Sequence, residues 1–101
     1  MISINKYPNG LIIQGHAMSA PYGQDLVCAG VSAVSLSALN WFDKKTISVQ
    51  IDDGDYQLII IKKSKHNSLL LNLLFIQLQG IAQSYNQYIE INEFTYELKK
   101  E

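Results

Sequence analysis

The chain of 101 residues is 48% hydrophobic, with one cysteine, two histidines and a formal net charge of -1. That length suits one domain spanning 1–101 with a modest core, and the near-neutral charge gives no field to gather nucleic acid or an anionic membrane, so direct nucleic-acid binding is not expected. A single cysteine excludes an internal disulfide, and no stretch reaches the roughly 20 apolar residues of a membrane span, because SLLLNLLFIQLQGIA is broken by Asn72, Gln77 and Gln79.

In chain order, residues 2–7 and 11–15 read as strands joined by a tight turn at Pro8-Asn9-Gly10. Met1 to Gly10 lacks the apolar core of a signal peptide, which points to a cytoplasmic chain with a reduced thiol. From Asp25, read as an N-cap, a helix is predicted to about Trp41, with Leu26, Ala29, Ala33, Leu36 and Asn40 near one face. TISVQID and YQLIIIK flank Asp53-Gly54 as a second hairpin, with Ile47, Val49 and Ile51 alternating to one face. After the basic loop KKSKHN, a helix from Ser68 to about Tyr88 carries Leu70, Leu74, Leu78, Ile81, Tyr85 and Tyr88 at helical spacing. Leu69, Leu71, Leu73, Phe75 and Ile76 widen its apolar face, so the domain covers both sides of it or another subunit meets part of it. YIEINEFTYEL closes the chain as a strand, with Ile89, Ile91 and Phe94 assigned inward. The order ββαββαβ predicts a small α+β layered domain, its sheet mainly antiparallel, with two principal helices.

The chemistry concentrates in GHAMSAPYGQDLVC, which begins beside His16 and ends on Cys28. A strand stopping at His16 and a helix starting near Asp25 bring imidazole and thiol together. With Asp25 as the cap, Cys28 falls at the third helical position, where free backbone N–H groups and the helix dipole favour a thiolate. Each residue alone reads as ordinary: a lone cysteine as a small buried hydrophobe, a strand-end histidine as a polar residue. The pairing gives a nucleophile with its proton acceptor. Asp25 either caps the helix or orients His16, and Ser32, one turn after Cys28, either bonds back to its own helix or reaches substrate.

Gly15-His16-Ala17 followed by Gly23, Asp25, Leu26, Val27, Cys28, Ala29, Val31 and Ser32 resembles the ribosomal-processing cysteine protease family, often called Prp. The motif spans roughly residues 15–34, with weaker agreement in length and element order elsewhere. The resemblance implies a homodimeric cysteine endopeptidase without metal or organic cofactor. Its substrate would be the N-terminal extension of large-subunit ribosomal protein twenty-seven, removed before ribosome assembly. It puts the nucleophile on Cys28 and the general base on His16, with auxiliary or substrate-binding roles on Asp25, Ser32 and Gly23. It also implies a mobile loop over Ala17 to Gln24, which Pro21 and Tyr22 would stiffen or narrow, and an aromatic residue just before the cleaved bond.

Other motifs carry less. Asp52-Asp53-Gly54-Asp55 lacks the ligand spread of a calcium loop and reads as a solvated hairpin turn. His66 among Lys62, Lys63 and Lys65 is a mixed basic loop, and Gly80 inside a helix suggests close packing. Two other functions compete with the protease: a ribosome-associated module that grips the same extension without cutting it, and a redox-sensing thiol.

Overall fold

The computed structural model describes residues 1–15 and 22–99, and within 22–25 the backbone alone. The strands are β1 (Ile2–Tyr7), β2 (Gly10–Gln14), β3 (Ile47–Asp52), β4 (Asp55–Ile60) and β5 (Ile89–Glu93), and the helices are α1 (Tyr22–Ala38) and α2 (Lys65–Ser84). The strands form one sheet in the order β3-β4-β2-β1-β5, antiparallel at every pair except β1 with β5. The expected α+β order ββαββαβ is the one observed.

Pairing of Tyr7 with Gly10 and of Asp52 with Asp55 closes the two hairpins at the turns read from the sequence. Registers Ile4↔Ile13, Ile13↔Tyr56 and Leu11↔Leu58 bring the buried positions of neighbouring strands onto one face. That face takes both helices: the Tyr56 hydroxyl reaches the Ser35 carbonyl of α1, and the Lys6 ammonium lies over the Phe75 ring of α2. The outer face is polar along Ser3, Asn5, Gln50, Gln57 and Asn92. Period-two alternation therefore separates a core layer from a wet face.

The helices depart from the reading in detail. α1 begins at Tyr22, not at Asp25, and passes into a tighter 3-10 turn over Leu39–Trp41. Leu26, Ala29, Ala33, Leu36 and Asn40 do share a face, but it is the exposed one. The core takes Val27, Val31, Ser35 and Ala38 instead. Both stripes have helical spacing, so periodicity alone did not say which one the sheet would cover.

α2 begins at Lys65, with the Ser64 hydroxyl oxygen accepting from the Asn67 N–H at 3.0 Å, so Ser68 is interior and half of the basic loop is helical. It ends at Ser84, and its buried stripe is Leu71, Leu74, Phe75, Leu78 and Ala82. Leu74 and Leu78 were foreseen in that role; Tyr85 is exposed beyond the helix end. Strand alternation also corrects Phe94, which falls opposite in phase to Ile89 and Ile91. It stacks on Tyr7 of the outer face, with ring centroids 5.0 Å apart.

Candidate active site

β2 ends one residue before Gly15, whose φ of 101° lies in the left-handed region that glycine tolerates. A Cβ there would collide with the Met1 carbonyl oxygen, so no other residue fits without a shift of the chain. The Gly15 N–H donates to the Gly54 carbonyl at 3.0 Å, which pins the end of β2 against the β3–β4 turn. His16 follows immediately and lies outside the described residues, as does the rest of the stretch to residue 21.

Across from that strand end stands the second turn of α1. Cys28 is a free thiol, partly buried and packed against the core cluster. Spacing of four places Cys28, Ser32 and Leu36 along one line of the helix, and all three border a cleft of about 230 Å³. Gly15 and Ile13 of β2 form a second wall, and Ile51 with the Asp52–Asp55 turn a third. Tyr56 contributes to the lining while its hydroxyl donates to the Ser35 carbonyl at 2.8 Å. Burial pushes its phenol pKa upward. The structure thus brings Cys28 and Ser32 to one cleft with the residue bonded to His16.

The helix start corrects one expectation. With α1 beginning at Tyr22, Asp25 sits inside the first turn and is not its N-cap, and Gly23 is in the same turn. Cys28 lies beyond the first turn, so its own N–H falls within the helical ladder and is not one of the free groups at the helix start. A carboxylate is favoured near the positive end of a helix inside the first turn as well as at the cap. Aspartate alone therefore did not locate the boundary.

The acidic turn was read correctly as a hairpin, but its place in the cleft was not foreseen. The signal was non-local: β4 pairs with β2 so that Asp55 lies opposite Gln14, which carries the turn to the strand end beside His16. Among the described residues no cluster of three His, Cys, Asp or Glu side chains is placed to hold a metal. His66 is exposed in the first turn of α2 and does not border the cleft.

The cysteine protease Prp family matches residues 1–90. The ribosomal processing cysteine protease Prp of Mycoplasma genitalium is 33% identical over 99 residues, covering 96% of this chain and 100% of its own length. Its counterpart in Staphylococcus aureus is 33% identical over 88 residues, covering 81% and 83%. The crystal structure of the S. aureus protease with a covalently linked product peptide superposes with a TM-score of 0.81 at 28% identity, covering 93% of this chain and 100% of that one. A second crystal structure of that protease, with a substrate peptide, gives 0.78 at the same identity. These likenesses put the chain in the class of cysteine proteases. It belongs to the cysteine protease Prp family.

Proposed function

We propose that this protein is a cytoplasmic, single-domain cysteine endopeptidase that removes the N-terminal extension of large-subunit ribosomal protein twenty-seven and so supports ribosome assembly. The observation that carries the reading is the cleft, where the Cys28 thiol borders the same space as Gly15, the neighbour of His16. A relative of similar fold holds a covalently linked product peptide, and the curated relatives are named as ribosomal processing proteases. At about 230 Å³ the cleft has room for a short stretch of extended chain and not for a folded domain.

In this mechanism the Cys28 Sγ attacks the carbonyl carbon of the scissile bond while His16 accepts the thiol proton. The C–N bond breaks as His16 passes that proton to the leaving amine. Water then attacks the thioester carbonyl with His16 again as base, the C–S bond breaks, and the thiol regains its proton. No metal or organic cofactor is needed for this acyl transfer. In this reading Ser32, one turn from Cys28, hydrogen-bonds the substrate, and Asp25 and Gly23 have auxiliary or substrate-binding roles from the first turn of α1.

The protein acts as a homodimer in this reading, with the exposed Leu69, Leu73 and Ile76 of α2 supplying apolar surface for the contact. The test is incubation with the extended ribosomal precursor followed by intact mass. A product shortened at its N-terminus supports the protease. Retention of an uncut precursor makes the protein a binding module, and neither cutting nor retention leaves a thiol of another function.

A further inference from the structure

Among the described residues strand β3 is an edge of the sheet, and it runs beside the cleft. With Asp52 and Asp55 closing a two-residue turn, the hydrogen-bonded pairs with β4 fall at Asp52, Gln50 and Ser48. The Thr46 carbonyl accepts from the Ile61 N–H at 2.9 Å, in the same phase. Ile47, Val49 and Ile51 consequently turn their N–H and C=O groups to the open edge, and their side chains to the helix side. Val49 is 40% and Ile51 44% exposed, and α1 faces them with Leu36, 45% exposed.

Leu36 borders two depressions. One is the Cys28 cleft, shared with Ile51; the other continues along β3 past Val49 and Ile47 toward Leu39 and Lys44. Together they make one groove that starts at the thiol and follows the unpaired strand. Edge strands that must stay unpaired usually carry lysine, proline or a bulge, and β3 shows alternating apolar residues instead.

We infer that this groove holds the substrate by strand addition: an extended peptide pairs with the outward N–H and C=O groups of Val49 and Ile51. It sets alternate apolar side chains between β3 and Leu36 while its scissile carbonyl lies at Cys28. The ligand class is an extended peptide with apolar residues at every second position on one side of the cut. This assignment rests on the protease reading. Continuity with the thiol cleft favours substrate over a second copy of the chain. From Ile47 to Ile51 the edge offers roughly 13 Å of strand, the length of a short extended peptide segment.

The test uses a synthetic peptide that copies the precursor's extension across the scissile bond. Val49→Pro removes an outward N–H and no β4 bond, and Val49→Lys puts a charge in the groove. Both are expected to raise KM by about tenfold or more. Ser48→Lys, on the outer face, should leave KM at the wild-type value. Bound to Cys28→Ala protein, the same peptide should slow hydrogen exchange at the Val49 and Ile51 amides and leave Gln50 as it was. Wild-type KM in both Val49 variants, without added protection at those amides, overturns the groove. So does a Val49→Lys protein that changes from dimer to monomer, since the edge would then be a contact between copies. Failure of the wild-type protein to cut the peptide overturns the protease reading instead, and protection at Val49 and Ile51 would still support a peptide groove.

Discussion

Tyr56 is the residue that ties the sheet to the helix bearing Cys28. Its hydroxyl donates to the Ser35 carbonyl inside the core, and both residues border the cleft. Tyr56→Phe is expected to cost about 1 kcal/mol in urea unfolding, the net worth of one such bond. Burial raises the phenol pKa above its ordinary 10.0 in the folded chain. The unfolded chain therefore loses the phenolic proton first, and this contribution is complete below pH 10 and lost as pH rises beyond it. Lys6 acts with the opposite sign, because burial lowers its ammonium pKa and stability is gained as pH rises through that lowered value. Comparing wild type with Tyr56→Phe cancels the Lys6 effect, and the variant should show the shallower alkaline loss. An identical pH slope would separate Tyr56 from that loss. Cys28 was legible as a candidate because its motif is local in the chain. The Tyr56–Ser35 bond joins residues far apart in sequence, and no local pattern announces it.

At the scale of elements, the start of α2 shows how a boundary is built. The Ser64 hydroxyl oxygen takes the Asn67 N–H, and the Asn67 side-chain amide donates to the Thr46 hydroxyl at 3.0 Å and to the Lys62 carbonyl at 3.1 Å. Ser64→Ala should cost about 1 kcal/mol as a lost cap. Asn67→Ala should cost about 1–3 kcal/mol, because it removes two hydrogen bonds made by a buried side chain. Thermal melting that ranks the two variants in reverse order would contradict this division. Sequence pattern starts the helix at Ser68, which adjoins the leucine run, whereas the cap is Ser64 and Lys65 opens the helix. For α1, two stripes of equal period left the buried face open, and the exposed Leu36 became part of the groove wall. Both hairpins were legible because Pro8-Asn9 and Asp53-Gly54 fix their turns from two residues each.

Across the whole molecule, the cleft is assembled from segments that meet only in the folded sheet: the end of β2, the second turn of α1 and the β3–β4 turn. Element order could be read along the chain. Strand order could not, because β2–β4 and the parallel β1–β5 pairing join distant stretches. Assembly is testable at this scale. Leu69→Glu with Ile76→Glu should give a monomer in sedimentation where wild type gives a dimer, since both side chains are exposed and the folded core is untouched. Wild-type protein that sediments as a monomer would contradict the dimer. The most direct measurement of the central claim compares wild type and Cys28→Ala side by side on the extended ribosomal precursor, by intact mass over time. Wild type is expected to shorten the precursor at its N-terminus, while the alanine variant binds it and leaves its mass unchanged. Shortening by Cys28→Ala at the wild-type rate would contradict it.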